Sequence, residues 1–410
     1  MTGFQLHEDK NFHYETLRSL GTVRYFGSDI KEQLDLMPKI KVNDFDSWYD
    51  AWSGLAKTVL STIDENNLQQ YNAATIRNVY FRASHYYFVS EFFLHLNWDD
   101  PRSLDAFAKW RKYFEIANAH LEIPGIFFKV SASFGEIPGY LFRTPKASAS
   151  NPRPTIILNG GYDSNMEECL HDFGFDLLER GYNCIIFDGP GQPAFLRDQH
   201  VGFIYDWERV ITPIVDYLHA HKEHSFVDTS NIGLLGMSLG GYLAARAAAF
   251  EPRLSAVILL DGVWSFMDCI LNAFPELKAP WEAGDEAALN ETFAKNGLKT
   301  ADSNRRWIHD HLKLAMQEKN AFVAFEEVAK MDLENGVAQK IKMPIFVGDA
   351  AEDIFFEGQP PKVAAAIGGN ATLFEFTAKY AAAAHSASGA LLYQNQMVWE
   401  WFAKVTGDKQ

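Results

Sequence analysis

The stretch that decides the fold is residues 231–250, NIGLLGMSLGGYLAARAAAF. It opens with an apolar run, passes through GMSLGG at 236–241 and ends in an alanine-rich run that favours a helix. A strand, a tight turn and a helix in this order form a nucleophile elbow, where small residues beside the serine let the strand and the helix approach. We therefore predict that Ser238 is a nucleophile. The alternative is a glycine-rich turn of another α/β protein, in which Ser238 only caps the helix.

The composition indicates a globular protein larger than one ordinary domain. At 410 residues we expect two domains, or one core with large insertions. The 47% hydrophobic and 22% charged residues are enough for a sizeable core. The net charge of −16 argues against nucleic acid and anionic membrane surfaces as partners, because both would repel it. The aromatic content of 14% could also line a pocket for a flat or apolar small-molecule substrate.

The cysteines and the N-terminal segment indicate the compartment. Cys169, Cys184 and Cys269 are too widely spaced for a disulfide framework or a metal site, and they fit a reducing environment. The N-terminal MTGFQLHEDKNFHYE lacks the apolar core of a signal peptide, and no apolar stretch is long enough to span a bilayer. We expect a cytoplasmic protein that uses neither a metal nor a cofactor.

The periodicity of apolar residues divides the chain near residue 124. Before it, apolar residues recur at helical spacing, as in the series Trp48, Trp52, Leu55, Val59 and Ile63. We predict a helical cap domain at 1–124 with four to six helices. After it, residues 125–410 alternate strands with helices, which is typical of a mainly parallel sheet with helices on both faces. The alternation lapses at about 264–340, where we predict a helical lid insertion.

The expected strands of the second domain can be placed individually. They lie at 126–130, 137–142, 155–158, 183–187, 232–235, 256–260, 344–347 and 371–376, and a final helix covers about 391–405.

A serine hydroxyl needs a base to become a nucleophile, and that base needs an acid to orient it. The order serine, acid, histidine along the chain is that of α/β-hydrolases. Of thirteen histidines, only His385 follows the acids at 349–353, so we expect it to be the base. Asp353 is the expected acid because it lies a few residues beyond a strand and can turn back. Asp349, the adjacent Glu352 and Asp261 after the preceding strand remain alternatives.

The oxyanion formed during acyl transfer needs two amide donors. One is the N–H of Leu239, which follows the nucleophile. The other comes from the loop NGGYD at 159–163, where we expect Gly161 or Tyr162 to donate. An ordinary tight turn is the alternative for that loop. The segment DGPGQ at 188–192 indicates a turn rather than a phosphate cradle.

Five motifs resemble a branch of the α/β-hydrolases that carries an N-terminal helical domain. They are NGGYD at 159–163, FDGPGQ at 187–192, GMSLGGY at 236–242, EDIFFEGQP at 352–360, and FT at 376–377 leading to His385. The branch holds FrsA-like proteins, the bacterial dihydroxypseudooxynicotine hydrolase and fungal hydrolases that shorten polyketides in pigment pathways. The resemblance implies the α/β-hydrolase fold with a mostly parallel eight-stranded sheet. It also implies a homodimer and catalysis by Ser238, Asp353 and His385.

The chain departs from that branch at two turns. Ser386-Ala387 follow the histidine, where Cys-Gln is common in the branch, and Pro193 stands where a glycine is usual. These departures leave the three matching positions intact, but they alter the loops around them.

The expected function is hydrolysis by a serine nucleophile. The resemblance implies cleavage of a carbon–carbon bond beside a ketone, or of an ester or thioester, in a small apolar or polyketide-type metabolite. A first alternative keeps the triad but performs acyl transfer, cyclisation or release of a carrier-bound chain. A second is a catalytically idle binding or regulatory protein. A peptidase of the prolyl-oligopeptidase type is disfavoured, because that type carries a propeller of repeated strands where this chain is helical.

Overall fold

The computed structural model describes residues 4–220 and 222–407, which form two compact units. One unit is helical and contains residues 4–125 and 291–314. The other contains the described parts of 126–290 and 315–407. Residues 291–314, which the sequence placed in the insertion of the second domain, group with the helical unit instead.

Five α-helices occupy the described part of the chain before residue 126. They are Lys10–Gly21, Ile30–Leu34, Phe45–Leu60, Ala73–Glu91 and Pro101–Ala119. Each begins after a residue whose side chain accepts a backbone amide of the first turn, in order Asp9, Asp29, Asp44, Asn72 and Asp100. Such caps satisfy amides that the helix itself leaves without partners, which explains where these helices start.

Buried aromatic side chains form the core of the helical unit. Trp48 is fully buried, its ring lies 4.9 Å from that of Phe12, and its indole donates a 2.7 Å hydrogen bond to the carbonyl of Val89. Residues 291–314 join this unit by polar contacts as well. The Ser303 hydroxyl donates to the Asp9 carboxylate at 2.6 Å. The side chains of a distant segment thus complete the packing of the N-terminal helices.

The second unit contains a single sheet of eight strands within the described residues. The strands are β1 (Ile126–Ala132), β2 (Gly135–Phe142), β3 (Arg153–Asn159), β4 (Asn183–Phe187), β5 (Val227–Gly236), β6 (Leu254–Leu259), β7 (Ile345–Ala350) and β8 (Ala371–Phe376). Their spatial order is β1-β2-β4-β3-β5-β6-β7-β8. β2 pairs antiparallel with both β1 and β4, and the remaining pairs are parallel. The predicted eight-stranded, mostly parallel sheet is confirmed.

Helices connect the strands of this unit, as the sequence predicts. They are Met166–Cys169, Phe175–Arg180, Glu208–Ala220, Gly240–Ala248, Phe266–Ala273, Lys278–Glu282, Ala321–Val328, Gln359–Ile367 and Leu391–Thr406. Two more helices, Glu286–Ala294 and Ser303–Met316, have residues assigned to both units. None of the helices described combines the length and apolar character needed to cross a membrane.

Strand boundaries differ from the prediction where pairing overrides local signals. The sequence indicated a strand end at Val347, because Gly348 and Asp349 are typical turn residues. Instead β7 continues to Ala350, with Gly348 opposite Phe374 and Asp349 opposite Glu375 of β8. Neighbouring strands can extend an element past the point where its own residues favour a turn.

The register of the parallel strands brings the loops of interest to one edge of the sheet. Asn159, Gly236, Leu259 and Val347 lie side by side across β3, β5, β6 and β7. Each lies at or near the carboxyl end of its strand. The loops that follow therefore gather at the edge where ligands bind in open α/β sheets.

Candidate active site

Ser238 lies on a strained turn between β5 and the helix Gly240–Ala248. Its φ is +57°, in the left-handed region that non-glycine residues rarely occupy. A Cβ on Gly236 would lie 1.9 Å from the carbonyl oxygen of Gly240, so only glycine allows the strand and the helix to approach this closely. Ser238 as a whole is half-buried at this turn. This is the local geometry of a nucleophile elbow.

The structure brings Ser238, His385 and Asp353 together from three separate loops. The Oγ atom of Ser238 lies 3.0 Å from Nε2 of His385, and Nδ1 of His385 lies 2.9 Å from Oδ2 of Asp353. When Nδ1 carries the proton and donates to Asp353, the lone pair of Nε2 faces the serine hydroxyl. The arrangement can therefore accept the proton of Ser238.

Both oxygens of Asp353 have partners. While Oδ2 faces His385, Oδ1 accepts the amide N–H groups of Phe355 at 2.7 Å and Phe356 at 3.1 Å. The rings of these two phenylalanines also lie against the imidazole, with centroids 4.8 and 5.5 Å away. The carboxylate and the histidine ring are thus held in orientation by one short segment.

The other carboxylates considered from the sequence occupy different positions. Asp349 lies inside β7, and Glu352 is exposed. Asp261 is fully buried, and its Oδ1 lies 3.6 Å from Nδ1 of His385. Asp353 is therefore the carboxylate that is hydrogen-bonded to His385, and Asp261 is a second one close by.

The charges around His385 stabilise its protonated form. Burial acts to lower the pKa of His385, but the negative charges of Asp353, Asp261 and Asp163 outweigh burial and raise the pKa above its usual value. Burial acts to raise the pKa of Asp353, whereas the charge and hydrogen bond of His385 hold it below its usual range. The site thus favours the imidazolium that forms when histidine accepts a serine proton.

The loop after β3 lies directly against the elbow. A Cβ on Gly161 would lie 2.9 Å from the Cβ of Ser238 and 3.4 Å from the amide nitrogen of Leu239. However, the Gly161 amide donates to the hydroxyl of Ser164 at 2.9 Å. Of the two candidates in this loop, Gly161 is therefore engaged elsewhere, which favours the amide of Tyr162 as partner to that of Leu239. The engagement of Gly161 by Ser164 was not foreseen from the sequence.

Gln192, in the turn after β4, supports the same loop. It is 1% exposed, its Oε1 accepts the Gly189 amide at 2.7 Å, and its Nε2 donates to the Gly161 carbonyl at 3.3 Å. In the same turn, each carboxylate oxygen of Asp188 accepts one backbone amide. Oδ1 accepts that of Met166 and Oδ2 that of Ala194, both at 2.9 Å. The segment 188–192 is a structural turn that holds the loop after β3. The glutamine at the end of the glycine-rich segment DGPGQ was the available sequence signal.

Aromatic side chains from the insertion reach this region. The ring of Tyr162 packs against Phe266, with centroids 5.3 Å apart, and Phe266 begins the helix Phe266–Ala273. The Tyr162 ring also stacks near Phe203 at 6.1 Å. All three rings are buried, so they fix the loop after β3 by packing against the residue that follows Gly161.

Three side chains of the described residues could together hold a metal ion. One ligand atom each of Asp261, Asp353 and His385 lies within 4.8 Å of the others. His385 and Asp353 are hydrogen-bonded to each other, and the carboxylates of Asp353 and Asp261 each accept a neighbouring amide. The group has the arrangement of a base with its acids.

Comparison with known proteins gives consistent matches. A model of the alpha/beta hydrolase family matches residues 156–387. The chain is 31% identical over 363 residues to hydrolase LUC6 of a Fusarium species, covering 85% of this chain and 84% of that protein. It is 29% identical over 368 residues to 20-hydroxy-prefusarin hydrolase FUS2 of Gibberella moniliformis, covering 84% and 83% of the two chains. The solved structure of 2,6-dihydroxy-pseudo-oxynicotine hydrolase is similar, with a TM-score of 0.71 at 20% identity over 94% of this chain and 95% of that one. This chain belongs to the alpha/beta hydrolase family.

Proposed function

We propose that the protein is a serine-nucleophile hydrolase acting on a small apolar or polyketide-type metabolite. The bond cleaved is a carbon–carbon bond next to a ketone, or an ester or thioester bond. The observation that carries this proposal is the hydrogen-bonded chain from Ser238 Oγ through His385 to Asp353, with distances of 3.0 and 2.9 Å.

The first step forms a bond between Ser238 Oγ and the substrate carbonyl carbon. Nε2 of His385 takes the hydroxyl proton, while Asp353 holds the Nδ1–H and stabilises the imidazolium. The amides of Leu239 and Tyr162 donate to the oxyanion. Leu239 lies at the start of the helix Gly240–Ala248, where the helix dipole also favours negative charge. In acyl-transfer enzymes, loss of one such donor slows turnover by about 10²–10³-fold.

The second step returns the proton from His385 to the leaving group. In an ester or thioester the leaving oxygen or sulfur takes it. In a carbon–carbon cleavage, the leaving carbon departs with the electron pair as an enolate and takes the same proton to give a ketone. Water then attacks the acyl-enzyme while His385 accepts one proton from it. When the bond between the acyl carbon and Ser238 Oγ breaks, His385 gives that proton to Oγ, which regenerates the serine hydroxyl and releases the acid.

The substrate class is supported by relatives and by the surroundings of the site. A relative with 29% identity over most of both chains bears the name 20-hydroxy-prefusarin hydrolase. The sequence also resembles fungal hydrolases that shorten polyketides. The rings of Phe355 and Phe356, with centroids 4.8 and 5.5 Å from the imidazole of His385, provide apolar surface beside the proposed base.

Covalent labelling with a fluorophosphonate tests the proposal, because the probe reacts with activated serines. We expect labelling of the wild type and of Ser255→Ala, whose hydroxyl bonds the Ile232 carbonyl within the sheet. Labelling should disappear in Ser238→Ala and His385→Ala. A wild type that remains unlabelled would contradict the proposal and favour a binding role.

Product analysis then separates hydrolysis from transfer. Short ketone, ester and thioester analogues should yield the free acid, with one oxygen from H₂¹⁸O. Cyclic or transferred products without that oxygen would support the acyl-transfer alternative instead.

A further inference from the structure

Asp261 is a buried carboxylate that the proposed mechanism does not use. It follows β6 and is 0% exposed. Its Oδ2 accepts the backbone amide of Ser238 at 3.0 Å and the hydroxyl of Ser386 at 2.5 Å. Its Oδ1 accepts the backbone amide of Ser386 at 3.2 Å and lies 3.6 Å from Nδ1 of His385. A single side chain thus contacts the turn of the proposed nucleophile and the turn of the proposed base.

Both turns that Asp261 contacts are strained. Ser238 has a φ of +57°, Ser386 has +51°, and the next residue, Ala387, has +48°. Left-handed backbone at non-glycine residues persists only where the surroundings hold it in place. The amide of each strained serine donates to the Asp261 carboxylate, which supplies that restraint.

Ser386 contributes a side-chain bond to this restraint as well. Its hydroxyl donates to Asp261, where a cysteine would offer only a thiol. A serine hydroxyl is a much better donor to a carboxylate than a thiol. The Gln394 side chain in turn donates to the carbonyl of Ser386 at 2.8 Å, so the turn is held from two sides.

We infer that Asp261 is a positioning residue for the Ser238–His385–Asp353 arrangement. Its carboxylate ties the two strained turns together and offers His385 a second acceptor for the Nδ1 proton. This inference rests on the proposed function, since it assigns Asp261 a role in orienting and charging the proposed base.

The electrostatics agree with this geometry. Three donors to the two oxygens favour the ionised carboxylate. Burial is the largest influence on Asp261 and raises its pKa, the charge of Asp353 raises it further, and the charge of His385 opposes both. The titratable groups that face this cluster are Asp353, Asp163, Asp349 and Cys269. The balance raises the pKa of Asp261 to about 6, so above that pH its ionised carboxylate adds a second negative charge next to the imidazole.

The rate of fluorophosphonate labelling, measured from mildly acidic to alkaline pH, tests the inference. Asp261→Asn keeps the size of the side chain and one carbonyl acceptor but removes the charge. The pKa of His385 should then fall, so the midpoint of the labelling profile should move to lower pH by about one pH unit. A purely structural role would lower the rate at every pH and leave the midpoint unchanged, which would overturn the inference.

Two further variants serve as controls. Ser386→Ala removes one hydrogen bond to Asp261 and keeps its charge, so labelling should slow at an unchanged midpoint. Asp349→Asn removes a carboxylate near Asp353 that is not bonded to His385, and it should leave the midpoint unchanged.

Asp353→Asn gives a second readout that does not depend on the folding of Asp261→Asn. In a triad with one acid, amidation of that acid lowers kcat by about 10⁴-fold. With Asp261 as a second acceptor, we expect a loss of labelling rate of about 10²-fold, well short of that caused by His385→Ala. Equal losses in Asp353→Asn and His385→Ala would overturn the inference. Failure of the proposed function would differ, because the wild type itself would then resist labelling.

Discussion

A Cβ atom on Gly241 would lie 1.8 Å from the carbonyl oxygen of Asp261. The helix Gly240–Ala248 therefore approaches the end of β6 as closely as a glycine allows. This contact aligns the elbow with the loop that carries Asp261.

We expect Gly241→Ala to lower the free energy of unfolding by about 1–3 kcal/mol or more, because adding a methyl group to a closely packed interior has that cost. Because backbone is the obstacle, the helix must move, and Ser238 labelling should slow as well. Denaturant unfolding and labelling rates measure the two effects.

Gly54→Ala is the matched control. Gly54 lies within the helix Phe45–Leu60, and a Cβ there meets no atom within 4 Å. Alanine at this position should be neutral or stabilise by up to about 1 kcal/mol. Equal stability losses in the two variants would contradict the contact described for Gly241.

The pH dependence of Ser238 labelling should report the state of His385. A protonated imidazole cannot accept the serine proton, and the neighbouring carboxylates raise the pKa of His385 above its usual value although burial opposes them. The labelling rate of the wild type should therefore rise with pH, with a midpoint above the ordinary histidine pKa of about 6.5. A midpoint at or below that value would contradict the assigned electrostatics.

The same raised pKa predicts a stability effect of defined sign. The folded state favours protonated His385, which adds to the free energy of unfolding. This contribution is complete below the pKa of an unfolded histidine, about 6.5, and is lost as the pH rises through the higher pKa of the folded state. The unfolding free energy of wild type minus that of His385→Ala should thus be smaller at alkaline than at mildly acidic pH. Urea unfolding at both pH values checks this, and a difference that grows with pH would contradict it.

Gln192→Ala should impair the loop after β3. It removes the acceptor for the Gly189 amide and the donor to the Gly161 carbonyl. A buried group left without a partner costs about 1–3 kcal/mol. We expect that loss in unfolding experiments, together with slower labelling of Ser238.

Gln199→Ala provides the comparison for Gln192→Ala. Gln199 also bonds backbone groups, those of Glu136, but at the exposed β1–β2 hairpin. Its loss should cost less stability and leave the labelling rate unchanged. A similar fall in labelling for both variants would indicate that Gln192 does not act through the Gly161 loop.

Asp9→Ala should destabilise the helical unit more than an ordinary cap substitution does. Asp9 caps the helix Lys10–Gly21, accepts the Asn43 amide at 3.0 Å and accepts the Ser303 hydroxyl at 2.6 Å. Loss of a helix cap alone costs about 0.5–2 kcal/mol of stability. Because Asp9 makes two further hydrogen bonds, we expect Asp9→Ala to cost more than the middle of that range. Thermal unfolding measures it.

Asp29→Ala is the control for the cap itself. Asp29 is exposed, and its side chain caps the helix Ile30–Leu34 through the Lys31 amide. The expected loss lies at the low end of about 0.5–2 kcal/mol. If Asp29→Ala cost as much as Asp9→Ala, the contacts of Asp9 to Asn43 and Ser303 would contribute little.

Much of the fold could be predicted because its signals are local. The apolar run, the glycines and the alanine-rich helix around Ser238 specify a strand, a turn and a helix within twenty residues. Apolar strands alternating with helices predict a parallel sheet, and the parallel sheet places the ends of its strands at one edge. The order of Ser238, Asp353 and His385 along the chain followed from the same reasoning, and the structure places these three side chains within hydrogen-bonding distance.

Other features depend on contacts between distant segments. The grouping of residues 291–314 with the helical unit rests on bonds such as Ser303 to Asp9, almost three hundred residues apart in sequence. The engagement of the Gly161 amide by Ser164 depends on how the loop after β3 folds back. The sequence alone offered Gly161 and Tyr162 as equal donors.

The clearest feature that depends on tertiary structure is which of two acids, Asp353 or Asp261, is hydrogen-bonded to His385. By sequence, Asp353 and Asp261 each follow a strand and either could face His385. Only the folded chain places Asp353 2.9 Å from the imidazole and turns the oxygens of Asp261 towards the amides of Ser238 and Ser386. Local sequence specifies periodicity, turns and caps, whereas the partner of a buried carboxylate is set by which donors the packed strands bring within about 3 Å of it.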